Sequence, residues 1–476
     1  MVIKNYLYNL MYQLMVILLP IITIPYISRV LGVDGIGEYA LTSTYAQYFV
    51  FLGMMGLSIY SSREIAYVRD SSQKLNEVFW ELNFLRFITV GISFVIYLSI
   101  FIILVNNNSK LIYMIQSLVI ISAFFDISWL FIGIENFKKI AIRNMIVKII
   151  GVLFIFLLIK DNSQVWLYAL IIGGTQLIGQ IVMWFDLPSE IKFKKPKKIN
   201  MIKHLKNSIK LFIPQIAISV YSMLDKIMLG GMTNEAEVGL YDNSQRIIKI
   251  LIVVVTTLAT VTLPKMASLY KKNEMKKFEE NVYKSFSFVS FIALPMALGL
   301  AAITNSFVPW FFGAGFDGIK PLFYIGALLM ITLAWSSILG NQILISIKRE
   351  KQFTISVVSG AILNVIINLI LISKYYSIGT MISSVLAEYC GMFLMLYFSR
   401  DILEIKKLFK FVPRYTISSF IMFFIIYPIG IFLNESIVTT AIQILLGIFI
   451  YIIIMILLKD ENLQQGLNFI KSIIKK

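Results

Sequence analysis

Apolar residues run in blocks of about twenty along this chain, with polar residues gathered in short islands between them. Twenty residues rising 1.5 Å each cover the ~30 Å of a bilayer's hydrocarbon core. In that solvent each backbone N–H and C=O must be bonded internally, so the blocks predict helices. Stretches such as Leu118–Phe125 do not alternate apolar and polar residues as a membrane β-barrel strand would. The pattern places fourteen transmembrane helices at 6–30, 37–60, 79–105, 111–134, 141–160, 165–187, 209–231, 238–264, 284–307, 319–345, 352–373, 376–398, 410–433 and 436–458. The first block is too long for a signal peptide, and no small-x-small cleavage site follows it before Arg29. The fold class expected is therefore an all-α polytopic membrane protein.

Composition agrees with the pattern. Of 476 residues, 58% are hydrophobic and 14% charged, and the mean hydropathy is +0.81. A soluble domain carries about 25% charged residues. Charge then sets orientation. With the N-terminus on one side, the connections on that side hold 28 Lys and Arg, and those on the other hold two, Lys110 and Lys374. By the positive-inside rule both termini are expected in the cytoplasm, in the inner (cytoplasmic) membrane. The formal charge of +17 thus lies in short loops beside anionic headgroups rather than on a nucleic-acid surface.

Several chemistries drop out. Cys390 is the single cysteine, which removes internal disulfides and cysteine metal sites, and His204 is the single histidine, which removes HExxH zinc sites and Ser-His-Asp triads. The run Gly174–Gln180 (GTQLIGQ) has P-loop glycine spacing, but Gln180 stands where the lysine belongs and the run is embedded in an apolar block, so it reads as helix packing. No enzyme and no cofactor are expected, beyond coupling to a proton or sodium gradient.

The blocks also repeat. Leu31-Gly32 and Gly37-Glu38-Tyr39 are echoed by Leu229-Gly230 and Gly239-Leu240-Tyr241, and Trp129 and Gly133 by Trp335 and Gly340. Six helices separate the members of each pair, so the halves share one orientation, as in parallel transporter repeats. The expected organisation is an N-terminal lobe over 1–187, a basic linker over 188–208 containing Lys192–Lys198 (KFKKPKK), a second lobe over 209–398, and two further helices with a tail over 399–476.

Charge inside a membrane costs from ~2.5 to over 10 kcal/mol and marks function. The cations Arg143, Lys148, Lys226, Arg246 and Lys249, with Arg29 at the edge of the first block, predict a cavity for an anionic cargo. Asp126, Asp225, Asp242 and Glu388 are candidate coupling or gating acids. Asp242, Arg246 and Lys249 share one helical face. Glu81 and Arg86 read as interfacial, because 87–105 is long enough to span without them. Pro20, Pro25 and Pro214 predict broken helices at equivalent positions of the two halves, with Pro295 in the ninth block.

Four ordered segments resemble Wzx-type polysaccharide flippases: Ile24–Ala40, Phe125–Asn144, Leu224–Ile247 and Phe311–Leu322. The resemblance implies a MATE-like fold of two six-helix lobes in pseudo-two-fold relation plus two C-terminal helices. It also implies alternating-access transfer of an undecaprenyl-pyrophosphate-linked oligosaccharide for capsule or another surface polysaccharide, with a polymerase and assembly proteins as neighbours. A drug/cation antiporter of the same fold and a lipid II flippase are the alternatives. A membrane-embedded polymerase is disfavoured by the short external connections.

Overall fold

The computed structural model describes residues 2–105, 107–195, 198–465 and 468, so part of the basic linker (Pro196 and Lys197) and most of the C-terminal tail lie outside the described residues. The described chain is helical, in the order α1 Val2–Met54, α2 Leu57–Val68, α3 Ser72–Leu104, α4 Asn107–Phe125, α5 Ser128–Gly133, α6 Phe137–Leu158, α7 Val165–Val182, α8 Lys198–Met232, α9 Glu235–Lys271, α10 Met275–Phe312, α11 Ile319–Ser337, α12 Glu350–Ser399, α13 Ile405–Leu408, α14 Val412–Phe432 and α15 Ile437–Leu457. Ten described helical runs are long and apolar enough to cross a membrane, or eleven counting a bent pair within α9. Two of the ten, Met15–Val68 and Glu350–Ser399, are 54 and 50 residues long and contain internal breaks.

The breaks do not fall on prolines. Helical backbone continues through Pro20 and Pro25, and the non-helical residue of α1 is Gly32, at φ 71° and ψ 179°. Glycine reaches that region without a Cβ penalty, so Gly32 separates what the sequence reads as the first two spans. The predicted breaks at Pro20 and Pro25 thus move to the glycine. The helix of Pro214 runs from Lys198 to Met232, and the Pro214 side chain lies outside the described residues. Tyr376, at φ 53°, divides α12 in the same way.

The chain forms two compact units, one of residues 1–230 and 234–239, the other of 231–233 and 240–476. This division places 209–230 with the first unit, where the sequence repeat assigns it to the second lobe. Inside the first unit α4 lies along α7, and α1 packs on α3, α4 and α6. Gly37 and Gly239, equivalent glycines in the repeat, meet in this unit. A Cβ on Gly37 would sit 1.6 Å from the Glu235 carbonyl oxygen and 3.0 Å from the Gly239 nitrogen. Only hydrogen fits there, which lets two backbones touch.

In the second unit α10 packs on α11, α14 and α15. Gln443 of α15 donates to the Ile426 carbonyl at 2.8 Å and accepts from Ser306, while the Trp310 indole donates to Thr440 at 2.7 Å. This polar knot holds α15 against α10 and α14.

Each unit contains the same aromatic stack. Phe79 and Trp129 lie 5.5 Å apart at 27°, and Phe286 and Trp335 lie 5.5 Å apart at 28°. The tryptophans are the pair singled out in the sequence repeat. Beside the stack, the first unit has Asn83 and Arg86, and the second has Ser290 and Ala293, all buried.

Two outcomes are expected. Gly37→Ala must push backbone apart and should cost about 1–3 kcal/mol, read as an earlier thermal-unfolding midpoint in detergent. At the ends of α12, Arg349 makes a two-pronged bridge to Asp401, and this hydrogen bonding holds the Asp401 carboxyl below its ordinary value of 3.8. A lowered native value stabilises the fold above the ordinary carboxylate range, and the gain is lost as pH falls through the lowered one. The bridge is exposed, so its worth is under about 1 kcal/mol. Asp401→Asn should remove that part of the acid dependence of the melting midpoint.

Candidate functional site

In the first unit, one face of α1 beyond Gly37 carries Tyr39, Ser43, Gln47, Val50 and Met54 at helical spacing. This face borders a cavity of about 520 Å³. The Gln47 amide donates to the Ser43 hydroxyl at 2.8 Å. Gln176 of α7 and Ser58, just past the left-handed residues Met55 and Gly56, line the same space. No charged side chain is among its described lining residues. A second cavity of the same unit, about 470 Å³, is lined by Arg29, Asp34, Glu38, Asn162 and Glu235. It surrounds the helix break at Gly32.

The second unit holds a cavity of different character, about 430 Å³, between α10, α14 and α15. Phe291, Met296, Ile303, Met422 and Ile448 make its walls apolar, with Gln443 and Tyr451 among the few polar groups.

The predicted residues distribute as follows. Arg29, Asp126, Arg143, Lys148, Asp225 and Lys226 belong to the first unit, and Asp242, Arg246, Lys249 and Glu388 to the second. Arg29 lines the charged cavity. Asp225 and Asp242 are each 2% exposed, Lys148, Lys226 and Glu388 are half-buried, and Lys249 is exposed. Arg246 Nε lies 2.6 Å from Asp242, one turn away, so this cation and this acid are brought together as a pair. Arg143 packs its side chain against Gly179 of α7. Asp126 sits where α4 gives way to α5 and accepts from the backbone N–H of Ser128 at 2.9 Å, while its own carbonyl accepts the Trp129 indole N–H.

With the geometry in view, the chain can be set beside known proteins. The model of the family described as "Polysaccharide biosynthesis protein" matches residues 2–270. The chain belongs to that family. A protein provisionally named an O-antigen transporter, from Escherichia coli K12, is 23% identical over 402 residues, covering 84% of this chain and 96% of its own. A glycan biosynthesis flippase assigned in Haloferax volcanii is 22% identical over 303 residues, covering 62% of this chain and 61% of its own. Among solved structures, lipid II flippase MurJ in an inward closed conformation superposes with a TM-score of 0.67 at 18% identity, over 92% of this chain and 99% of MurJ. An inward-facing multidrug MATE transporter gives 0.60 at 14% identity, over 80% of this chain and 97% of that one. The fold is thus that of the superfamily containing MurJ and the MATE transporters.

Sequence reasoning for this family member missed two kinds of residue. The first is neutral: Gln47 and Gln176 are polar residues in apolar blocks, but a search for charges passes over them. The second is Arg86 and Glu81, read as interfacial. Arg86 is 1% exposed, lies over the Trp129 ring at 5.5 Å, and its Nε and Nη1 have no hydrogen-bond partner among the described residues. Glu81 is buried, accepts from Asn200 at 2.7 Å, and lies 3.3 Å from His204 Nε2, while His204 Nδ1 is hydrogen-bonded to the Tyr60 hydroxyl at 2.7 Å. Span length speaks to depth in the membrane, whereas helix packing decides burial, so counting from residue 87 onward gave no sign that these two side chains are enclosed by the protein.

Arg246→Ala removes one charged partner of the buried Asp242 and, with the arginine itself half-exposed, should cost about 1–3 kcal/mol. Asp242→Asn in the same chain should restore most of that stability, measured by thermal unfolding of the single and double variants.

Proposed function

We propose that this chain carries undecaprenyl-pyrophosphate-linked oligosaccharide units from the inner to the outer leaflet of the cytoplasmic membrane, for a surface polysaccharide. The observation that carries the reading is the family match over more than half of the chain, supported by the relatives named as O-antigen transporter and glycan flippase. Transfer by alternating access needs binding groups and moving helices but no covalent step.

The cargo has three chemistries. Its pyrophosphate calls for cations, which Arg143, Lys148 and Lys226 supply in the first unit and Lys249 in the second. Arg246 is paired with Asp242 and serves more readily as support for that acid. Its prenyl tail calls for hydrocarbon surface, of the kind lining the apolar cavity of α10, α14 and α15. Asp126, Asp225 and Glu388 are the acids we assign to coupling with a proton or sodium ion. Both termini then face the cytoplasm, where a polymerase or assembly protein can meet the basic connections.

The test is genetic and chemical. A strain lacking the protein should accumulate the lipid-linked repeat unit in the inner leaflet, and the wild-type gene should clear it. Lys148→Glu, Lys226→Glu and Lys249→Glu should each abolish surface polymer at unchanged membrane abundance. Intact export with all three reversals would remove the cationic part of the proposal, and no accumulation in the deletion strain would remove the function.

A further inference from the structure

The cavity lined by Ser43, Gln47, Ser58 and Gln176 has a chemistry the cationic residues do not explain. Gln47, Ser58 and Gln176 are exposed although they belong to runs α1, α2 and α7 that count as membrane-spanning. A primary amide turned towards lipid would lose its hydrogen bonds to water with no replacement. Two such amides and the Ser58 hydroxyl, from three helices, therefore mark a wet space inside the first unit. The volume, about 520 Å³, lies within the range of roughly 300–1,000 Å³ common to small-molecule sites.

The kinds of side chain narrow the ligand. A phosphate needs a cation in contact, and none is among the described lining residues; a cationic drug needs an acid or a cage of several aromatic rings, and the described lining holds no acid and only two aromatic residues, Tyr39 and Phe51. An apolar molecule would leave the Gln47 carbonyl and the Gln176 amide facing it without a partner from the ligand, which is costly in a desolvated site. What remains is a ligand that is uncharged and dense in both donors and acceptors. Amides and hydroxyls offer both at once, and sugar hydroxyls and N-acetyl groups are their complement. The cation Arg143 lies against Gly179, one helical turn along α7 from Gln176.

We propose that this cavity of the first unit is the subsite for the uncharged sugar rings of the cargo, with Gln47 and Gln176 as its specificity-determining residues. The assignment rests on the function proposed above and divides the cargo between two kinds of side chain. Cations hold the pyrophosphate common to all such lipids, and neutral amides read the glycan.

Binding is measured on the full chain in lipid nanodiscs with two probes, undecaprenyl pyrophosphate and the same lipid bearing N-acetylglucosamine. Gln47→Leu and Gln176→Leu should weaken the sugar-bearing probe about tenfold, the scale of one lost buried hydrogen bond, and leave the bare lipid unchanged. Equal weakening of both probes, or of neither, overturns the assignment. Cys390 is the only native cysteine, so a Cys390→Ala chain with Gln176→Cys gives a second reading that tolerates a poorly folding leucine variant. A membrane-impermeant thiosulfonate should label that site, and the sugar-bearing lipid should protect it better than the bare one. No labelling, or equal protection, overturns the subsite. A wild-type chain that binds neither probe overturns the proposed function itself; one that binds both probes equally tightly overturns only the subsite.

Discussion

Hydrocarbon offers no hydrogen bonds, so a chain that crosses it must satisfy its own backbone, and every departure from helix must be repaired by a neighbour. The repairs are visible at two bends of the first unit. At Met55 and Gly56, where two left-handed residues interrupt the helix, the Met55 carbonyl accepts from Ser208 at 2.8 Å. At the end of α4 the Phe125 carbonyl accepts the Trp184 indole N–H, and the Asp126 carbonyl that of Trp129, both at 2.9 Å. A π-helical stretch over Ile338–Ile345 follows α11 in the second unit, and Gln342 within it donates to Thr262. Serine, tryptophan and glutamine thus stand in for the water that a soluble protein would use.

The fold was legible because that constraint writes itself into residue order. Long apolar blocks declare the helices, and the basic islands between them bias the orientation. The equivalence of Trp129 and Trp335 could be read from spacing, and both tryptophans stack on a phenylalanine with the same geometry. The glycines were legible as a repeat but not as a contact, since nothing in a linear pattern says that Gly37 and Gly239 meet. The prolines misled. Pro20 and Pro25 stay within helix because a proline costs one bond and a clash that bending can absorb, whereas Gly32 adopts a backbone angle that ends the helical path. The candidate site was legible only in part. Charge marked Asp242 and Arg246 on one face, and they pair, but the neutral lining of the first unit's cavity gave no signal to a search for ions.

The two halves also serve as controls for one another. In the second unit the stacked tryptophan donates to Ser290 at 3.0 Å, with Ala293 one turn further along α10. The same architecture therefore closes without a guanidinium. In the first unit the corresponding place is filled by Arg86, held by Asn83 and the face of Trp129. Differences of this kind, a charge on one side and a methyl on the other, are where a duplicated scaffold departs from symmetry.

The buried contact of His204 with Tyr60 and Glu81 has a practical consequence. It joins the start of α8 to α2 and α3, and no other imidazole exists in the chain. Isotope-labelled histidine would therefore give the ring signals of a single residue from a protein of 54.4 kDa. Their chemical shifts would report the tautomer, and hence which of the two neighbours is donor and which acceptor, without any engineered probe. Undocking of α8 from this corner would appear as a second set of signals, so the helix that follows the linker carries its own spectroscopic label.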